Sequence, residues 1–168
     1  MVYVFLADGF EEVEAITVVD VLRRNGIETG IVGVGTMTPK GMNGVTVNAD
    51  IAIEEIKLDE DLKMVVLPGG MPGAAALQNS DGVTKCLEYA DKKELYIAAI
   101  CVAPAILGGK NILVGKKAVC FPGFEDKLIG AMIGKEDVFV DDNIITAKNM
   151  EVALPFAKTL VDLLREQK

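Results

Sequence analysis

The sequence predicts an α/β domain with a mostly parallel central sheet. Short apolar runs alternate along the chain with segments of helical periodicity, which is typical of βαβ units. The apolar runs are continuous, as in strands that are buried on both faces. The chain has 168 residues, of which 51% are hydrophobic, enough for one domain with its own core. We therefore expect a single domain over residues 1–168, a flavodoxin-like three-layer sandwich.

Each element is predicted from an apolar pattern bounded by turn residues. The predicted strands cover residues 2–6, 27–34, 45–48, 63–68, 94–100 and 116–121, followed by a hairpin over residues 138–147 with its turn at Asp142-Asn143. The predicted helices cover residues 10–25, 81–92, 102–107 and 151–166. We expect the later strands to complete the same sheet, with the ligand site at the carboxyl ends of the central strands.

The composition excludes several classes of function. The chain contains no histidine, so it cannot build a Ser-His-Asp triad, a Cys-His pair or an imidazole metal site by itself. Seventeen basic residues against 25 acidic residues give a net charge of −8, which argues against nucleic acid as a partner. The three cysteines form no CxxC motif, and we expect no metal.

The sequence also predicts where the protein resides. The apolar start is five residues long and no basic run precedes it, so we expect no signal peptide. No uncharged apolar stretch approaches the roughly 18 residues of a membrane span, so we expect no membrane association. Unpaired thiols indicate the cytoplasm. Neither glycine run fits GxGxxG or a P-loop, so we expect no cofactor.

Cys101 lies at a predicted strand-to-helix turn, within AAICVAPAIL. Small neighbours allow a strained apex, as in a nucleophile elbow, and Pro104 suits the first turn of the following helix. A sulfur at the positive end of a helix is expected to have a lowered pKa. The alternative interpretation is an inert buried cysteine, which is a common environment for free thiols.

Glu14 falls on the apolar face of the first predicted helix, between Val18 and Val21 on the helical wheel. Asp8 and Glu11 fit a capping box at the start of this helix. A carboxyl buried without a cation is expected to stay protonated, and could then donate a hydrogen bond to a thiolate. The alternative is a side chain that reaches solvent at the edge of the helix.

The segment LPGGMPGAAAL follows a core strand and supplies consecutive backbone amides. The amides of Gly69 and Gly70, together with that of Val102, could hold an oxyanion or the oxygens of an oxidised sulfur. The alternative is an ordinary tight turn.

Five segments together resemble the ThiJ/PfpI family, in the DJ-one superfamily, over essentially the whole chain: LADGFEEVEAITVVDVLRRNGI, VVLPGGMPGA, AAICVAPAIL, FPGFEDKL and ITAKNMEVALPFA. The resemblance implies a flavodoxin-like sandwich, usually a homodimer, with a strained and oxidation-prone cysteine. Cys101 matches that cysteine and Glu14 its protonated partner. Gly69, Gly70 and Val102 match the surrounding amides.

The chain departs from many members of this family at two positions. A histidine stands near the cysteine in those relatives, where this chain has Val102 and Phe121. A Cys-His protease mechanism is therefore not expected. Three hypotheses remain: an oxidation-responsive cysteine protein that protects against oxidative or carbonyl stress, a cofactor-free glyoxalase or deglycase with Cys101 as nucleophile, and a non-catalytic chaperone or binding module. The expected reactants are peroxide or small aldehydes.

Overall fold

Strands and helices alternate along residues 1–166, the part of the chain that this computed structural model describes. The strands are β1 (Val2–Leu6), β2 (Thr29–Gly33), β3 (Ile51–Ala52), β4 (Met64–Leu67), β5 (Tyr96–Ile100), β6 (Lys117–Ala118), β7 (Met132–Ile133), β8 (Val138–Asp141) and β9 (Ile144–Ala147). The α-helices are α1 (Glu12–Arg24), α2 (Gly73–Gln78), α3 (Asp81–Lys92), α4 (Pro104–Gly109) and α5 (Ala153–Glu166). Short 3-10 turns occupy Ile53–Glu55, Glu125–Lys127 and Met150–Val152.

The central sheet has seven strands in the order β3-β2-β1-β4-β5-β9-β8. All neighbouring strands run parallel except β8 and β9, which form the predicted antiparallel hairpin. The strand order reverses between β1 and β4, and such a switch point opens a crevice at the carboxyl ends of the strands. The predicted flavodoxin-like fold is therefore confirmed.

Helices cover both faces of the sheet. Helices α1 and α5 pack on one face, where Leu22 and Phe156 are fully buried. Helices α2, α3 and α4 cover the other face, where Leu87 of α3 packs in the core. Helix α3 forms as predicted, because Ser80 caps its first turn by accepting from the Val83 amide and its apolar positions recur every three or four residues.

Three sequence-based assignments are wrong. Residues 45–48 form no strand, and only an isolated bridge joins Lys40 to Thr46. Residues 116–121 leave the main sheet, because the short strand β6 pairs with β7 in a separate two-stranded sheet. Helix α1 is capped by Glu11, whose carboxylate accepts from the Glu14 amide, whereas Asp8 accepts from the Lys40 amide.

Some short elements were not predicted, because they have few residues and little periodicity: β3, β7 and α2. No helix within residues 1–166 is long and apolar enough to cross a membrane. The predicted domain extends to residue 168, and its last two residues lie outside the described part of the chain.

Candidate active site

Cys101 occupies the turn between β5 and α4 in a strained backbone conformation. Its φ is +66°, a left-handed value that costs a non-glycine residue about 1 kcal/mol or more. Two hydrogen bonds hold this turn: the Cys101 amide donates to the Ala147 carbonyl at 2.9 Å, and the Phe121 amide donates to the Cys101 carbonyl at 2.8 Å. The side chain is half-buried, so the sulfur remains accessible, as the elbow hypothesis requires.

Glu14 is buried beside this sulfur. The helical wheel places it correctly, because the residue is only 1% exposed. Its Oε2 accepts a hydrogen bond of 2.8 Å from the Gly69 amide, and the Cys101 thiol lies within hydrogen-bonding reach. Burial raises the pKa of Glu14 to about 7, against the opposing effect of these hydrogen bonds. The alternative of a solvent-exposed side chain is excluded.

The expected lowering of the Cys101 pKa is wrong. Burial, together with the negative charge of an ionised Glu14, raises the pKa of the thiol to about 12. The Val102 amide opposes this shift by hydrogen bonding to the sulfur, but it does not reverse it. Helix α4 begins only at Pro104, three residues after Cys101, and the favourable effect of a helix N-terminus falls off within a turn.

The two groups titrate as a pair. When two ionisable groups interact this closely, their two pKa values belong to the pair and not to either residue. The pair loses its first proton near pH 7 and its second near pH 12, so between these values it holds one proton and one negative charge. The thiolate is the form in which that proton resides on Glu14.

Gly69 serves a different purpose from the one expected. Its amide is engaged with Glu14, and it is therefore not available to a bound oxyanion. A methyl group at Gly69 would come within 2.6 Å of the Glu14 Oε2 and 3.1 Å of the Cys101 Sγ, so the residue must be small. Within residues 1–166 the Gly70 amide donates to no acceptor, and Gly70 and Val102 both line the same pocket.

A pocket of about 470 Å³ opens above the sulfur. Its walls combine two carboxyls and two asparagines with a larger set of apolar side chains. The lining residues are Glu11, Glu14, Met42, Asn43, Gly70, Met71, Cys101, Val102, Phe121, Phe124, Asn149 and Met150. Phe121 and Phe124 contact each other edge to face, with ring centroids 6.3 Å apart. Among the described residues no cluster of His, Cys, Asp or Glu side chains is suited to a metal ion.

The sequence did not predict most of the residues that line this pocket. Met42, Met71 and Met150 lie about half exposed on loops beyond the strands, where periodicity carries no information. Their only signal is their type, since methionine is over-used at adaptable binding surfaces.

Glu12 was also missed, because the helical wheel places it near the polar side of the helix. Its carboxylate is buried and accepts hydrogen bonds from the Asn43 amide at 2.7 Å and the Asn43 Nδ2 at 3.0 Å. It also accepts a bond of 3.3 Å from the Val45 amide. Glu12 therefore fixes the loop that supplies Met42 and Asn43 to the pocket.

Comparison with known proteins gives a consistent result. The DJ-1/PfpI family matches residues 1–163. Protein DJ-1alpha of Drosophila melanogaster is 35% identical over 96% of this chain and 76% of its own length. Glutathione-independent glyoxalase DJR-1.2 of Caenorhabditis elegans is 30% identical over 92% of this chain and 82% of its own length.

Structural comparison agrees with the sequence matches. The structure of oxidized Toxoplasma gondii DJ-1 superposes with a TM-score of 0.92 at 36% identity, covering 97% of this chain and 89% of that one. The chain spans only 41% and 36% of two longer DJ-1 homologs of Arabidopsis thaliana, A and B. The family match over nearly the whole chain, together with the shared fold, shows that this protein is a member of the DJ-1/PfpI family.

Proposed function

We propose that the protein is an oxidation-responsive cysteine protein that protects against oxidative or carbonyl stress through a Cys101 thiolate stabilised by protonated Glu14. The burial of Glu14 beside a strained, accessible Cys101 carries this proposal. A buried carboxyl with a pKa near 7 can take up the thiol proton at neutral pH, a role that imidazole plays in other thiol sites.

Oxidation proceeds by attack of the thiolate on peroxide. The sulfur forms a bond to one peroxide oxygen and the O–O bond breaks; the departing hydroxide takes the proton of Glu14 and leaves as water, which gives a sulfenic acid. A second peroxide adds another oxygen in the same way and gives the sulfinic acid. The Gly70 and Val102 amides and the protonated Glu14 are suitable donors to these oxygens. The oxidized state of the Toxoplasma gondii relative supports this reaction.

Peptide mass spectrometry after mild peroxide treatment tests the proposal. We expect two added oxygens, about 32 Da, on Cys101 before any addition to Cys86 or Cys120. The latter two residues are only 1% and 5% exposed, whereas Cys101 is half-buried and lines the pocket beside Glu14. Glu14→Gln should slow oxidation of Cys101 and leave the other two unchanged. Equal oxidation of all three cysteines would contradict the proposal.

A second candidate function is cofactor-free conversion of 2-oxoaldehydes or their adducts. The apolar pocket above Cys101 favours it, as does the similarity to a protein named a glyoxalase. The sulfur adds to the aldehyde carbon, and the carbonyl oxygen takes a proton to give a hemithioacetal. Glu14 then moves a proton from the aldehyde carbon to the neighbouring carbon, and the hemithioacetal hydroxyl proton passes to the neighbouring carbonyl oxygen. Water hydrolyses the resulting thioester to a 2-hydroxy acid and releases the Cys101 thiol. The Gly70 and Val102 amides stabilise the oxyanion.

Lactate formation from methylglyoxal, without added glutathione, tests this second candidate. We expect lactate from the wild-type protein and none above background from Cys101→Ser. Equal yields from the two proteins would exclude the reaction. Slow alkylation of Cys101 at neutral pH together with no lactate would favour the non-catalytic binding module.

A homodimer and a cytoplasmic location belong to the same proposal. The family resemblance supports the dimer, and free thiols at all three cysteines support a reducing compartment. Light scattering of the purified protein measures the oligomeric state, and a mass of one chain would overturn that part.

A further inference from the structure

A second cavity adjoins the candidate active site. It has a volume of about 250 Å³ and lies between α2 and α4. Three residues line both this cavity and the pocket above Cys101, namely Met71, Val102 and Phe124. The two spaces therefore meet at these three residues. Met71 is half exposed and has three rotatable bonds, so this partition can adapt to an occupant.

Most residues that line this groove are apolar, and several of those on the two helices are small. Ala75 of α2 faces it from one side, and Ala105 and Ile106 of α4 face it from the other. Ala75 and Ala105 are half-buried, so the groove is open to solvent along one edge. Gln78 and Lys127 stand at its rim. A mostly apolar groove between two helices suits the alkyl part of a ligand, and the alanines on both helices leave room there for an unbranched chain.

We propose that the site takes aldehydes with an unbranched alkyl tail, the aldehyde at Cys101 and the tail in the groove between α2 and α4. The proposal rests on the first step proposed above, addition of the sulfur to an aldehyde carbon; an aldehyde without a neighbouring carbonyl stops at that adduct. In the first step the Cys101 sulfur bonds to the aldehyde carbon, and the thiol proton ends on the former carbonyl oxygen. This gives a hemithioacetal with no change in oxidation state.

The charges around the pocket agree with an uncharged head group. Glu11 and Glu14 both line the pocket beside the sulfur. Below pH 7 Glu14 is protonated, and above it the Glu14–Cys101 pair carries one negative charge. Anionic 2-oxo acids are therefore disfavoured next to Cys101, whereas an alkyl aldehyde brings no charge to the site.

Competition with iodoacetamide at Cys101 measures this preference without any turnover. Unbranched aldehydes from propanal to nonanal are added, and peptide mass spectrometry gives the concentration of each that halves the alkylation rate of Cys101. We expect that concentration to fall about fourfold for each methylene that enters the groove. Ala75→Leu fills the groove, and we expect the dependence on chain length to disappear in this variant. Ala76→Leu adds the same side chain at a neighbouring exposed position of α2 and serves as the matched control.

The outcomes distinguish binding of the tail in the groove from addition of the aldehyde at Cys101. If propanal protects Cys101 and longer aldehydes protect no better, aldehyde addition stands and the groove proposal is overturned. If no aldehyde protects Cys101, the proposed addition fails. Binding of 1-nonanol, followed through the methyl NMR signals of Ala75 and Ala105, then tests whether the groove binds an alkyl chain. If 1-nonanol shifts both signals in the wild type and no longer shifts the Ala105 signal in Ala75→Leu, the result supports a tail site. Unchanged signals in the wild type overturn it.

Discussion

The Glu14 carboxyl and the Cys101 thiol flank the same side of Gly69. The Gly69 amide donates to the Glu14 Oε2 at 2.8 Å, and no side chain separates the carboxyl from the sulfur. The loop after β4 thus brings together a helix residue and a strand-end residue that lie 87 positions apart in the sequence. This arrangement gives a chain without histidine a group that can exchange a proton with a thiol near neutral pH.

The first prediction concerns the pH dependence of Cys101 alkylation. The rate with iodoacetamide should rise in two steps: a first near pH 7, where the pair loses one proton and a minor thiolate form appears, and a second at alkaline pH, where the thiol itself ionises. In Glu14→Gln the carboxyl can no longer take up the thiol proton. Burial then governs the thiol alone, and only the alkaline step should remain.

Alkylation reactions quenched at set times and read by peptide mass spectrometry give the pH profiles of the wild type and of Glu14→Gln. Glu88→Gln, an exposed carboxyl on α3, is the control and should behave like the wild type. An alkaline profile in the wild type that moves to lower pH in Glu14→Gln would show that the charge of the pair stays on Glu14.

The second prediction concerns stability against pH. The pKa of Glu14 is raised from 4.5 to about 7 in the folded protein, so the native state binds more protons than the unfolded state between these values. Stability from this group is present below pH 4.5 and is lost as pH rises through 7. The loss is about 3 kcal/mol when complete.

Urea denaturation at several pH values between 4 and 8.5 measures this effect. Glu14→Gln removes the titration, so its stability relative to the wild type should increase by up to about 3 kcal/mol across that range. The Glu88→Gln control should follow the wild type. Parallel curves for wild type and Glu14→Gln would show that Glu14 does not titrate in this window.

The third prediction concerns Gly69→Ala. The added methyl group would stand 2.6 Å from the Glu14 Oε2 and 2.7 Å from the Cys101 Cβ, so the two side chains must move apart. We expect a loss of about 1–3 kcal/mol in the free energy of unfolding, and loss of the alkylation step near pH 7. Gly30→Ala is the control, since its nearest neighbour would be an ordinary contact at 3.5 Å. An unchanged alkylation profile in Gly69→Ala would mean that the pair does not need this close packing.

The fourth prediction concerns the strained turn at Cys101. Glycine adopts a φ of +66° without the steric penalty that alanine meets. Cys101→Gly should therefore be about 1 kcal/mol more stable than Cys101→Ala in urea denaturation. At Ala76, inside α2, glycine should instead be less stable than alanine, so Ala76→Gly should be less stable than the wild type, because glycine costs about 1 kcal/mol in a helix. Equal stability of the two Cys101 variants would show that the turn relaxes when the thiol is removed.

Much of the fold could be predicted because it depends on local patterns. The strand at Val2–Leu6 and the helix at Asp81–Lys92 have the predicted bounds, since continuous apolar runs and capped periodic segments are readable from neighbouring residues. The placement of β6 was not readable, because pairing with β7 depends on which surface is free after the main sheet has formed.

The candidate site divides in the same way. The amino-acid sequence alone determined that any proton transfer must proceed without histidine, that Cys101 follows a strand and that Glu14 faces the core, because composition and helical phase are local properties. The tertiary structure decided that the Gly69 amide binds Glu14, that burial raises the pKa of the thiol, and that methionines from three loops close the pocket. Solvation and the approach of distant loops depend on the assembled chain, and no local pattern encodes them.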